Sequence, residues 1–170
     1  MYKTDETNVK ITNLLMEDGR MSCAKIAHRL GSVSERSVRY RINRLVSEGV
    51  VRICAVPIPQ KLGFPVVADV FIEVESAHIL DVAQKLAEYE CISYVGCAIG
   101  EPDVSVQIFA PDNAMVYSFV TEVIARLTGV RNTKTTILPL ILKDTHQWRV
   151  PNSSYDECME SKETKTTEGP

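Results

Sequence analysis

Apolar residues recur at helical spacing over the first fifty positions and then change to the alternation of strands. Asp5 stands at the head of a helix whose Val9, Ile11, Leu14 and Leu15 approximate one face, ending near Asp18-Gly19. Ser22 caps a short second helix with Ile26, Ala27 and Leu30 on its apolar side, stopped by Gly31. Ser34 caps a third helix running to about Glu48, with Gly49 where a left-handed terminal residue is wanted. On that third helix Val38, Ile42 and Leu45 fall within about 60° of arc at ~100° per residue, so this stripe packs on the other two helices. The β-prone run Val50-Val51-Arg52-Ile53-Cys54-Ala55-Val56 follows and predicts a wing. Pro57, Pro59, Gly63 and Pro65 then mark a linker over residues 55–65.

Beyond the linker the pattern predicts a strand over 66–74, a helix over 79–89, strands over 92–99 and 104–110, a helix over 113–127 and a last strand over 130–142. The order βαββαβ is the split, ferredoxin-like arrangement, an antiparallel sheet with both helices on one face. The fold class is therefore α+β: a winged helix-turn-helix over 1–54, then a ferredoxin-like domain over 66–145. One sheet face stays uncovered, and Ile137-Leu138-Pro139-Leu140-Ile141-Leu142 is strongly apolar, so self-association through this domain is expected. From about Pro151 the residues turn to Asn, Ser, Lys, Glu and Thr, and residues 146–170 read as a disordered tail.

Composition narrows the function classes. Of 170 residues 45% are hydrophobic and 24% charged, which excludes wholesale disorder and a disulfide-stapled miniprotein. The apolar stretches fall short of the ~20 residues of a spanning helix, and the N-terminus shows no signal region, so a cytoplasmic address is expected. Cys23, Cys54, Cys91, Cys97 and Cys158 are odd in number and scattered, without a Cys-x-x-Cys pair, and read as reduced thiols rather than metal ligands. His28, His78 and His146 stand alone. No metal, cofactor or catalytic cluster is expected.

The net charge of −3 conceals a strong polarity along the chain. Residues 1–60 carry 10 Lys/Arg and 6 Asp/Glu (+4), residues 61–150 carry 7 and 11 (−4), and residues 151–170 carry 2 and 5 (−3). Within 20–52 there are eight basic residues against two acidic ones, Glu35 and Glu48. A basic head on an acidic body points to a polyanion partner for the head alone. On the third helix, the face opposite Val38, Ile42 and Leu45 carries Arg36, Tyr40, Asn43 and Ser47, flanked by Ser37, Arg44 and Arg39. Guanidinium, hydroxyl and amide groups on a helix that is apolar behind suit the major groove of double-stranded DNA, where Arg pairs with guanine and Asn with adenine. Because recognition helices dock by their N-terminal residues, Glu35, Arg36, Ser37, Arg39 and Tyr40 are expected to read bases and Arg41, Arg44 and Arg52 to meet phosphates, with Ser34 and Asn43 also counted in the DNA-binding set.

The motifs Asp18-Gly19-Arg20, Ile26-Ala27-x2-Leu30-Gly31, Arg41-Ile42-x2-Leu45-x3-Gly49-Val50-Val51 and Leu62-Gly63, followed by βαββαβ, resemble the Lrp/AsnC (feast/famine) transcription regulators over residues 5–145. The resemblance implies dimers, often assembled into octamers, and a small effector, commonly an amino acid, bound between protomers. Gly100-Glu101-Pro102-Asp103 resembles the family's Gly-x-[aromatic]-Asp effector loop, with Pro102 in place of the aromatic residue. Gly129-Val130-x2-Thr133-x-Thr135 resembles its Gly-Val-x2-Thr-x-Thr entry to the final strand. Gly100, Glu101, Asp103, Thr133 and Thr135 are accordingly the expected effector residues. Ser32-Val33 lengthens the turn before the third helix by about one residue relative to the family pattern, and Leu140-Ile141-Leu142 stands where members often have acidic residues.

Read without the family, Asp103 either accepts a ligand's ammonium group or caps its turn, and Thr133 and Thr135 also suit an ordinary sheet face. An enzymatic alternative shares the layout. Sirohaem decarboxylase subunits resemble it too, with histidines of the C-terminal domain handling a tetrapyrrole, a part open here to His78 and His146.

Overall fold

A computed structural model of the chain describes residues 5–151. The described residues form two compact units, one of 57–142 and one of the N-terminal residues through 56 together with the segment from 143 onward.

The head consists of α1 (Glu6–Glu17), α2 (Cys23–Leu30) and α3 (Glu35–Ser47). Each starts at the cap its sequence specifies. Asn8 N–H donates to Asp5 Oδ1 at 2.7 Å, Lys25 N–H to Ser22 Oγ at 3.2 Å and Ser37 N–H to Ser34 Oγ at 3.2 Å, satisfying donors that a helix N-terminus leaves open. Gly31 and Gly49 end α2 and the turn after α3 with φ of 69° and 68°, a region that costs glycine no steric clash. Ile11, Leu15, Met21, Ile26, Val38 and Leu45 are buried together, with Ile42 and Val51 packed against them.

The wing differs from expectation. Residues 51–58 form no strand. Val50 and Val51 instead donate their N–H groups back to the Leu45 carbonyl at 2.9 and 3.1 Å. A strand needs a ladder partner, and this run is the one β-prone stretch of the head, so its propensity goes unused.

The second unit contains β1 (Val66–Val74), α4 (Ile79–Leu86), β2 (Ile92–Cys97), β3 (Val104–Ala110), α5 (Asn113–Ser118) and β4 (Val130–Ile137). The sheet is antiparallel with order β2-β3-β1-β4, the ferredoxin-like arrangement. Ala68, Val70, Ile72 and Val74 of β1 and Val104, Val106, Ile108 and Ala110 of β3 share one face, buried under Val82, Leu86, Val116, Phe119 and Ile124. The other face presents Asp69, Phe71 and Glu73 beside Ser105, Gln107 and Phe109, all partly exposed.

Four elements depart from their expected extents, and the first is α4, which ends at Leu86 and not at residue 89. The second helix of this unit stays α-helical only to Ser118, then opens into a π-helical turn over Phe119–Val123 and a 3-10 turn over Ile124–Arg126. Thr121 Oγ donates to the Tyr117 carbonyl at 2.9 Å, the hydroxyl back-bonding that disturbs a helical ladder. β4 stops at Ile137, just before Leu138-Pro139, since proline has no N–H for the ladder. β2 ends at Cys97 and not Ile99, because Ala98 N–H closes the β2–β3 loop onto the Asp103 carbonyl at 2.9 Å.

Residues 146–151, expected to belong to a disordered tail, are placed in the head's unit. Asp144 caps a 3-10 turn over Thr145–Gln147, and Val150 is pinned to Asn13 by two hydrogen bonds. The rest of the expected tail, 152–170, lies outside the described residues.

Candidate nucleic-acid interface and effector loop

Both ends of α3 are fixed by its caps and its inner edge by Val38 and Leu45, each fully buried. The outer face is thereby committed to solvent. Arg36, Arg39, Tyr40, Asn43, Arg44 and Ser47 are all exposed, Tyr40 by 66% despite its ring. Ser34 and Glu35 are exposed at the helix entry, and Ser37 is half-buried on the flank. Ser34 spends its hydroxyl on the cap. Arg39 pairs with Glu35 at 2.6 Å and Arg44 lies 3.5 Å from Glu48, both exposed i,i+4 pairs that contribute only ~0.3–0.5 kcal/mol and are readily exchanged for another anion. Arg36 and Arg52 are exposed and have no ion pair among the described residues.

Arg41 is different. Its Nη1 lies 2.6 Å from Asp5 Oδ2 and 2.9 Å from Asn8 Oδ1, and its side chain is only 29% exposed. The guanidinium ties α3 to the start of α1. The phosphate contact expected of Arg41 would draw on a guanidinium that here is engaged by Asp5 and Asn8. At ~100° per residue Arg41 lies about 140° around the helix from Arg36, beside the apolar stripe, and that offset was available in the sequence. The hydrogen bond from Arg41, more than the partial burial that opposes it, holds the Asp5 carboxyl below its usual range, helped by the backbone N–H groups of Asn8 and Thr7.

In the second unit the loop between β2 and β3 carries Gly100 at φ 111° and a half-buried Pro102 after a cis peptide bond, with Ile99 fully exposed. Gly100 and Glu101 are exposed. Asp103 is not: its side chain is 19% exposed, and Oδ2 accepts the Val74 N–H at 2.8 Å with Arg131 Nη2 at 3.5 Å. The last β1–β3 pair is Ile72 with Val104, so the carboxylate supplies one more acceptor along β1 where β3 offers no carbonyl. The carboxylate thus has a structural partner in the Val74 N–H. Thr133 and Thr135 lie on edge strand β4 opposite Ile72 and Val70, on the helix-bearing face, half-buried and exposed respectively.

Sequence reasoning missed a contact at the entry to β4. Glu75 N–H donates to the Gly129 carbonyl at 2.7 Å, and His78 packs so tightly on Gly129 that an added Cβ would lie 2.4 Å from His78 Cβ. His78 Nε2 and Nδ1 lie 3.9 Å from Glu75 and Asp81. His78 lies in the unit of residues 57–142, and His146 is grouped with the other compact unit. Burial raises the pKa of the Cys91 thiol, leaving it a small apolar neighbour of the core. Among the described residues no group of three or more His, Cys, Asp or Glu could hold a metal ion, and no helix is long and apolar enough to cross a membrane.

A family model described as the Lrp/AsnC ligand binding domain matches residues 67–148, and one described as a winged helix-turn-helix DNA-binding domain matches residues 4–52. An uncharacterized HTH-type transcriptional regulator of Pyrococcus horikoshii, PH0140, is 37% identical over 140 residues, covering 82% of this chain and 88% of that protein. The HTH-type transcriptional regulator LrpA of the same organism is 28% identical over 139 residues, covering 81% and 95%. Among solved structures, the transcriptional regulator NMB0573 of Neisseria meningitidis in complex with L-Met superposes with a TM-score of 0.79 at 21% identity, over 86% of this chain and 96% of that one. AsnC of E. coli does so at 0.74 and 19%, over 89% and 100%. These last two likenesses are of fold. The sequence relatives are named as regulators and not as enzymes, which overturns the decarboxylase alternative. With both units matched in chain order and a relative alike along most of its length, the chain belongs to the Lrp/AsnC family of DNA-binding transcriptional regulators.

Proposed function

We propose that the protein is a sequence-specific regulator whose DNA affinity answers to a small effector, an amino acid or a related metabolite, held at the interface of its C-terminal domains. The observation that carries the DNA half is the outer face of α3, where Arg36, Arg39, Tyr40, Asn43 and Arg44 are exposed together while Val38 and Leu45 lock the opposite edge in the core. In this reading Glu35, Arg36, Ser37, Arg39, Tyr40 and Asn43 approach base edges, and Arg44 and Arg52 meet phosphates. Arg41 acts indirectly, by setting α3 against α1. The site of action is the cytoplasm.

Self-association is supported by apolar surface on the second unit, where Leu140 and Leu142 are 73% and 86% exposed and the sheet carries helices on one face only. A homodimer, extended in larger rings to an octamer, would set two heads over two half-sites, so that an effector between protomers changes their spacing. The L-Met complex of the Neisseria regulator supports an amino acid as the class of ligand. Gly100 and Glu101 remain candidates to meet it, with Thr133 and Thr135 on the adjoining edge strand. Asp103 shapes the loop. A thermal-shift screen of the amino acids tests the effector half: one or a few should raise Tm in proportion to the logarithm of concentration, and uniform silence across the set would remove amino acids as the class.

A further inference from the structure

Arg36 and Arg39 are both exposed on the outer face of α3, yet they are held differently. Arg36 has no ion pair among the described residues, whereas Arg39 Nη2 donates to Glu35 Oε1 at 2.6 Å. Glu35 stands in the first turn of α3, next to the Ser34 cap, where the helix dipole favours a carboxylate. Four positions along a helix bring two side chains to one side about 6 Å apart, and acid before base is the favoured order. The helix itself thus places the pair, at the end that a recognition helix presents to bases.

The hydrogen bond engages only part of the guanidinium. Nη2 is committed to the carboxylate, and the donors that remain still suffice for a bidentate pair with N7 and O6 of a guanine. A long side chain that would otherwise sample many rotamers is held in one direction, so less freedom is lost when it meets a base. A phosphate is received differently. If the guanidinium swings to the backbone of the duplex, the Glu35 carboxylate is left beside phosphates without its cation, and that repulsion grows as the closing groove sheds water. Guanine is neutral and leaves the ion pair intact. In water the exposed pair is weak and exchanges readily; at the groove, exchange for a phosphate acquires a cost that reading a guanine does not.

We propose that Glu35 is a positioning residue for base recognition: its carboxylate aims Arg39 at the guanine of a G·C pair and denies that guanidinium to the phosphate backbone. This rests on the reading of α3 as the DNA-binding face. Its consequence is selectivity. Glu35 lowers affinity for DNA at large and raises discrimination at the base pair that Arg39 reads, while Arg36 acts without such a guide.

The test uses the full chain. A duplex selected from a randomised pool is altered one base pair at a time, and anisotropy titrations over a series of salt concentrations compare wild type, E35Q, E35D, R39A and E35Q/R39A on these duplexes and on a random-sequence duplex. R39A should flatten the preference at one G·C pair. E35Q should weaken that same preference about tenfold and leave the other positions in place. On the random duplex E35Q should bind about threefold tighter, with a salt slope steeper by about one phosphate. E35D, which keeps the charge, should retain the wild-type slope, and the steeper slope should vanish in E35Q/R39A, where no guanidinium is released. A preference that E35Q leaves untouched at the position flattened by R39A overturns the proposal, as does a loss at a different base pair, which would make Glu35 a base reader in its own right. A slope that stays steeper in E35Q/R39A overturns it too, since Glu35 would then act through its own charge and not through Arg39. Equal affinity of wild type for the selected and random duplexes would instead remove the assignment of α3, and the proposal with it.

Discussion

Replacing Arg41 with alanine separates a residue that builds the head from residues that touch DNA. Arg41 donates to the Asp5 carboxylate and to the Asn8 amide oxygen, and Asn8 is 95% buried while Asp5 remains half exposed. The exposed pair is worth at most ~1 kcal/mol. A hydrogen bond between a charged donor and a buried acceptor adds ~1.5 kcal/mol or more, so R41A should cost about 2 kcal/mol, a roughly thirtyfold rise in the open fraction of the head. Hydrogen exchange of α1 and α3 amides at neutral pH reads this directly. The difference should also depend on pH. The Asp5 carboxyl is held below its ordinary value chiefly by Arg41, so the stabilisation is fully present above an ordinary carboxyl pKa of about 4 and is lost as pH falls through the depressed folded value. Wild type and R41A should therefore draw closer in acid by the share due to Asp5, while the share due to the Asn8 amide oxygen persists. Unchanged protection in R41A, combined with a DNA salt slope lower by about one phosphate, would show that Arg41 meets the backbone of the duplex after all.

Other substitutions probe the remaining sites. D103A should lower the Tm of the unliganded protein by removing the acceptor of the Val74 N–H, at ~1–3 kcal/mol, while D103N should retain most of the stability; an unaltered Tm in D103A would leave ligand binding as the role of that carboxylate. G129A should be among the most damaging changes in the second unit, since φ is +89° and the new methyl would meet His78. Adding H78A should recover only the part due to the clash, as a double-mutant cycle would measure. N13A should speed exchange of the Val150 amide about tenfold without altering that of the α3 core, and no change there would remove the Asn13–Val150 contact.

Much of the fold was legible because its signals are local. Asp5, Ser22 and Ser34 cap the helices they precede, Gly31 and Gly49 take the left-handed conformation, and Val38 and Leu45 are buried as their spacing demands. The strand order could be inferred because βαββαβ admits few topologies. What the sequence did not disclose depends on partners distant along the chain. The 50–56 run has strand propensity but no neighbour to pair with, Asp103 is engaged by a backbone N–H twenty-nine residues away, and Asn13 meets Val150 across 137 residues. The α3 face could be listed from its spacing, yet only packing showed that Arg41, on the flank, is drawn to α1. Contacts to the proposed effector were the least legible, since that proposal places them between copies of the chain, beyond what the spacing of one sequence encodes.

The most direct measurement concerns α3. Fragments bound by the protein are selected from genomic DNA, and anisotropy titrations then compare the best fragment with a random duplex for wild type and for R36A/R39A. The account predicts that wild type prefers the selected fragment, and that R36A/R39A, still folded by circular dichroism, loses ~1–3 kcal/mol of that preference per base contact removed while keeping most of its salt-dependent binding to random DNA. Equal affinity for selected and random sequence in wild type, or a preference untouched by R36A/R39A, would contradict it.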